Sequence, residues 1–250
     1  MDLLVKSGNP MKMRRLSEID LAKLAPIPAG PQLEQALRAY NASGGAWSYD
    51  PIRASTADIL GASTPLYGPL PEISWEKIEY QIKMACSRGA IQESANTLVG
   101  KVLFDEARNK GWRAAKFSMS GLAIGIREAV RYWSSVVLED EDGLFIPFFD
   151  HRREHGVASR EAQQIVFSMQ HIGVRDRYPD LTDTRLAIVQ FPSSGEMRTV
   201  RVEFHNEAEL LSYEELDSRV RTVYETWARV STERTREPRK KTGTGDLFGF

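Results

Sequence analysis

Leu138-Glu139-Asp140-Glu141-Asp142-Gly143-Leu144-Phe145-Ile146-Pro147-Phe148-Phe149 decides the fold of this 250-residue chain. Glu141-Asp142-Gly143 is the plainest hairpin signal present, because acidic residues followed by glycine suit a tight reversal between two strands. The apolar, aromatic-rich run 144–149 reads as the strand after that turn, and 132–138 as the strand before it. Working backward, Ala115-Lys116-Phe117-Ser118-Met119 reads as a further short strand. Working forward, 186–191 and 199–204 form another expected strand pair. In the latter, Val200, Val202 and Phe204 alternate with Arg201 and Glu203, so one face is buried.

Helices flank these strands. In the N-terminal third, 17–24 and 32–40 read as short helices, separated by Ala25-Pro26-Ile27-Pro28-Ala29-Gly30-Pro31, whose prolines stop one and start the next. Residues 41–73 hold four prolines and four glycines, too many breakers for one regular element. This stretch is expected to wrap over the domain, touching it through Trp47, Tyr49 and Tyr67. Ser74 precedes a helix with Ile78, Ile82 and Ala85 on one face, and a second helix over 91–109 completes a helical hairpin ending at Gly111. Ser159 caps a helix carrying Ala162, Ile165, Val166 and Met169. Ser212 with Glu215 makes a capping box for a long last helix bearing Leu216, Val220, Val223, Tyr224 and Trp227.

The pattern predicts a single α+β domain with N-terminal helices, a small mixed or antiparallel sheet and a long C-terminal helix. The expected boundaries are a flexible N-terminus over 1–16, the α+β domain over 17–230 and a disordered basic tail over 231–250.

Composition narrows the function classes. With 42% hydrophobic residues the chain can bury a substantial core. The net charge of −1 indicates no general attraction to nucleic acid or anionic membrane, so DNA contact would need a local patch. One cysteine, Cys86, excludes an intrachain disulfide framework, and it reads as a buried helix residue. No run is long enough to span a bilayer, and Met1 to Val5 lacks the order of a secretory signal, so a cytoplasmic protein without membrane contact is expected.

The densest chemistry is Asp150-His151-Arg152-Arg153-Glu154-His155, directly after the apolar strand. Asp150 and Arg152, with Gln163 or Gln164, resemble the strand-end layout of restriction-type nucleases. Arginine stands where that layout has lysine, and its permanent charge suits phosphate contact better than proton traffic. No upstream acidic metal ligand accompanies it. The spacing of His151, His155, His171 and His205 matches no common zinc signature, and neither a phosphate loop nor a serine nucleophile elbow is present. These features indicate no metal and no cofactor. A polar network or partner surface is the leading expectation for the cluster, and a nuclease, perhaps degenerate, the alternative.

The chain ends Gly243-Thr244-Gly245-Asp246-Leu247-Phe248-Gly249-Phe250, an apolar peptide after the basic Arg239, Lys240 and Lys241. Thr244 to Phe248 is similar to the peptide by which bacterial replication and repair proteins dock on the DNA polymerase sliding clamp, usually Gln-x-Asp/Ser-Leu-Phe. Thr244 departs at the glutamine position. Leu247, Phe248 and Phe250 are the expected anchors, Asp246 orients the peptide, and Thr244 completes the expected clamp-binding set at the position of the glutamine's polar contact. With the tail and the 145–170 region, the chain resembles the SocB-type toxins. That resemblance implies inhibition of replication through the clamp and two further partners: a cognate, SocA-like antitoxin and the ClpXP protease to which it delivers the toxin. A phage or repair accessory factor recruited to the clamp is another alternative.

Overall fold

In the computed structural model, the described residues are 16–40, 48–63, 73–125, 129–152, 156–194, 197–206 and 209–236. Seven α-helices and nine strands occur among them in this order: α1 (Glu18–Leu24), α2 (Pro31–Ala39), α3 (Asp50–Ile59), α4 (Trp75–Ala85), α5 (Ala90–Asn109), β1 (Arg113–Lys116), β2 (Leu122–Ala123), β3 (Ala129–Val130), β4 (Val136–Asp140), β5 (Gly143–Asp150), α6 (Arg160–Gln170), β6 (Arg185–Gln190), β7 (Ser193–Ser194), β8 (Met197–Arg198), β9 (Arg201–Phe204) and α7 (Tyr213–Arg236). This is the expected α+β domain, with a long last helix.

The main sheet has the order β1-β4-β5-β6-β9. The hairpin β4–β5 closes with Asp140 opposite Gly143, leaving Glu141-Asp142 as its loop, and Gly143 has a φ of 111° that a side chain would resist. Asp140 braces the turn by accepting from the Asp142 N–H at 3.0 Å and from the Arg185 guanidinium. The β4–β5 ladder extends to the pair Leu138 and Phe145, short of Pro147, which has no N–H to offer. The sheet is mixed: β5 and β6 run parallel through Phe145 to Asp150, joined by a crossover containing α6. Gln170, at the end of α6, donates to the Ile146 and Ala187 carbonyls at 3.2 and 3.1 Å, tying the helix across both strands.

Alternation along the strands sorts side chains into two cores. Ile146 and Phe148 of β5 and Leu186 and Ile188 of β6 face α1, α2, α6 and α7. Phe145, Phe149, Ala187 and Val189 face α3, α4 and α5. The sheet is therefore a partition with helices on both sides.

Several local signals act as read. Ser17 caps α1 through the Asp20 N–H, Ser159 caps α6 through the Ala162 N–H, and Ser212 and Glu215 form the reciprocal capping box. Five readings need correction. The breaker-rich stretch contains a complete helix, α3, because Pro51 sits in its first turn, where its missing N–H costs nothing. The strand expected over 132–138 begins at Val136, since Tyr132 and Trp133 turn into the core and the Tyr132 hydroxyl donates to the Glu18 carbonyl at 2.6 Å. The strand expected over 115–119 is shifted earlier, to β1. Cys86 is half-buried at the C-terminal cap of α4, where burial and the nearby Glu93 push its thiol pKa up. The last helix runs to Arg236, past position 230, where the sequence reading ends the folded part. No described helix is long and apolar enough to cross a membrane.

Candidate functional site

The polar residues after β5 are built into the fold. Asp150 is 1% exposed, and its carboxylate accepts the Val157 N–H at 2.6 Å and the Arg152 N–H at 3.2 Å. Val157 is held from its other side, because Gln190 of β6 donates to its carbonyl at 2.6 Å. The strand-end carboxylate thereby ties the Arg152 and Val157 backbone to the end of β5. Burial pushes the Asp150 carboxyl above its ordinary pKa, an effect its two backbone hydrogen bonds only partly offset.

Arg152 points to the N-terminus of α1. Its guanidinium forks onto Asp20 at 2.8 and 2.9 Å and reaches the Ser17 hydroxyl at 3.0 Å. Burial pushes the Asp20 carboxyl up, but the Arg152 and Ser17 hydrogen bonds and the Arg152 charge outweigh it and hold the pKa below the ordinary value. The planar fork explains arginine at this position, since a lysine would offer a single point of attachment. An arginine committed in this way acts as a brace between β5 and α1.

His151 is 2% exposed, with its ring stacked nearly parallel to Phe191 at 5.4 Å, 5.6 Å from Tyr49 and 6.0 Å from Phe149. Burial, assisted by the charges of Arg53 and Arg198, lowers its pKa to about 3, so the imidazole is neutral at physiological pH. Arg198 donates to the His151 carbonyl at 2.8 Å.

Gln163 and Gln164 lie elsewhere, lining a surface cavity beside His205 and Glu209, and Gln164 donates to the Glu209 carbonyl at 2.8 Å. The expected grouping of Asp150, Arg152 and a helix glutamine is thus split between two places. No group of three or more His, Cys, Asp or Glu side chains is placed to hold a metal ion among the described residues. Tyr49 does touch the core as expected, whereas Trp47, Tyr67, Arg153, Glu154 and His155 lie outside the described residues. So do the docking-peptide positions Thr244, Asp246, Leu247, Phe248 and Phe250.

The root of that peptide is within the described residues. The end of α7 is clasped to α2, with Arg229 reaching Glu34 at 2.6 Å, Arg38 paired with Glu233, and Arg234 donating to the Arg38 and Tyr40 carbonyls. Trp227 packs beneath this clasp, edge-on to Tyr40. From Arg236 to Leu247 a fully extended chain would span at most roughly 36–40 Å.

The described residues thus form a mixed-sheet α+β domain whose strand-end charges serve its own backbone. The family model described as "Sliding clamp-binding bacterial toxin SocB" matches residues 19–237, and the chain belongs to that family. It is 33% identical over 236 residues to the DNA replication inhibitor toxin SocB of Caulobacter vibrioides (strain NA1000 / CB15N), covering 94% of this chain and 97% of that protein. No solved structure shows a significant match.

Proposed function

We propose that this protein is a toxin that binds the bacterial DNA sliding clamp and blocks replication by competing with clamp clients. Membership of the SocB family over nearly the whole folded region carries this reading. The docking element is Thr244 to Phe248 with Phe250: Leu247, Phe248 and Phe250 fill the apolar pocket, and Asp246 and Thr244 orient the peptide. A peptide of this kind binds at about micromolar strength, roughly 8 kcal/mol, so occupancy depends on abundance. Proteolytic removal is an effective control in that regime. The partners follow the family likeness: a cognate SocA-like antitoxin that delivers the toxin to ClpXP, acting in the cytoplasm where the clamp works.

The test compares the full chain with a Leu247→Ala/Phe248→Ala variant for binding to a purified bacterial sliding clamp, with a polymerase clamp-binding peptide as competitor. Wild-type binding abolished by both the double change and the competitor is expected. Equal binding by both chains would move the interface into the folded domain. Expression without an antitoxin is expected to arrest growth and replication, and normal growth would overturn the toxin reading.

A further inference from the structure

The main sheet has two edges, and they are treated differently. Outside β1, Ser63 makes a parallel bridge to Ala115: its N–H donates to the Ala114 carbonyl at 3.0 Å, and its carbonyl accepts the Lys116 N–H at 2.9 Å. At β9 the register shows which backbone groups face outward. The ladder pairs Gln190 with Arg201 and Ala187 with Phe204. The Thr199 N–H bond to the Pro192 carbonyl at 3.1 Å and the His205 N–H bond to the Leu186 carbonyl at 3.0 Å continue that register at its two ends. An antiparallel strand turns alternate residues to alternate sides, so 199, 201, 203 and 205 bond toward β6, and the N–H and C=O groups of Val200, Val202 and Phe204 face away. Those outward groups make no hydrogen bond among the described residues. A bare row of this kind is a template for another strand.

The side chains of this edge are complementary to themselves. Val200, Val202 and Phe204 lie on the face that packs against α3, α4 and α5. Arg201 and Glu203 lie on the other face, with side chains 53% and 38% exposed. About a two-fold axis through Val202, an antiparallel strand of the same sequence sets Val202 against its own copy, Val200 against Phe204 and Arg201 against Glu203. Outward groups then meet outward groups, and the charged residues fall at the non-hydrogen-bonded positions, where opposed side chains are closest. Arg201 and Glu203 pair within one chain at 2.9 Å, and across the axis the signs continue to alternate. Moving the axis to Arg201 or Glu203 would set like charges against each other.

We propose that β9 is a self-association edge, through which two copies of this chain pair antiparallel about Val202 and join their sheets into one. The occupant is a second copy because the edge carries both halves of its own charge pattern. A dimer presents two C-terminal peptides, so on the docking reading above it engages its target bivalently. The pairing itself does not depend on that reading.

The experiment is sedimentation equilibrium of the full chain from roughly 1 μM to 1 mM. A reversible monomer–dimer equilibrium is expected. Val202→Pro removes only an outward N–H, which an edge strand can lack without losing a bond to β6, so it should abolish dimerisation and leave the fold intact in a thermal scan. Arg201→Glu and Glu203→Arg, both at solvated positions, should each weaken association by about tenfold by opposing like charges. An equimolar mixture of these two variants should restore it as a heterodimer. Leu247→Ala/Phe248→Ala should dimerise like the wild type, which separates this result from the outcome of clamp docking. A monomer at every concentration, or a dimer that survives Val202→Pro, would overturn the proposal. Loss in the single charge variants without recovery in their mixture would overturn the pairing about Val202.

Discussion

Gly156 stands against the Asp150 carboxylate so closely that a Cβ on the glycine would overlap Oδ2 and lie 2.9 Å from Cγ. Position 156 beside the strand end therefore has room for bare backbone only. Gly156→Ala is expected to cost about 1–3 kcal/mol through overpacking, a fall of roughly 2–12 °C in melting temperature for a domain of this size. The two sites share one contact, so the cost should shrink in an Asp150→Ala background, and strict additivity in a double-mutant cycle would refute the coupling.

His151 sets an acid limit on stability. Its folded pKa of about 3 lies below the ordinary 6.5, so between those values the unfolded chain binds a proton that the folded chain refuses. Stability should fall as pH drops from 6.5 toward 3, with a slope approaching about 1.4 kcal/mol per pH unit. Urea unfolding at stepped pH should show a flatter acid arm for His151→Phe, and identical slopes would assign the acid sensitivity elsewhere.

The Arg152 fork on Asp20 and Ser17 predicts that charge alone will not substitute. Arg152→Ala is expected to destabilise by about 1–3 kcal/mol, because it leaves the half-buried Asp20 carboxylate without its charged partner and with the Ser17 hydroxyl alone. Arg152→Lys should recover less than half of that loss. Full recovery by lysine in chemical denaturation would reduce the brace to simple ion pairing.

Packing and surface charge contribute unequally to the hold of α7 on α2. Trp227 is 2% exposed, and Trp227→Ala should cost about 3–5 kcal/mol. Arg229→Ala and Glu34→Ala remove a solvated ion pair and should leave the melting temperature within the scatter of repeated scans. A large loss from either charge change would identify a network stronger than its exposure implies.

For clamp binding, Leu247→Ala/Phe248→Ala should weaken affinity by at least about 30-fold while leaving thermal stability unchanged, since a few buried anchors carry most of the energy of such peptides. Isothermal titration and a thermal scan on the same preparation separate the two effects. A matching loss of stability would place the anchors inside the folded core.

What the sequence disclosed and what it hid divide along physical lines. Signals confined to a few neighbouring residues were legible: Ser17, Ser159 and the Ser212–Glu215 box start helices by short-range hydrogen bonds, and Gly143 ends a two-residue turn. The parallel pairing of β5 with β6 was not, because nothing local encodes a partner some forty residues away. α3 was lost among prolines that also begin helices. At the candidate site, the charge of residues 150–152 was visible but its use was not: Asp150 bonds to a residue seven positions on, and Arg152 to one 132 positions earlier. His151 read as one more polar residue in a charged run. Its aromatic neighbours Phe149 and Phe191 flank strand ends that only the parallel register brings together.

The α2–α7 clasp also fixes an order of events during synthesis. Residues near positions 34–40 wait for partners near 227–234, so the core between α1, α2 and α7 cannot close until almost the whole chain has been made. A ribosome adding about 5–20 residues per second would leave those early helices uncovered for roughly ten to forty seconds. Every nascent copy thus spends that interval with an unfinished apolar surface, and a chain halted before Tyr213 never acquires its cover.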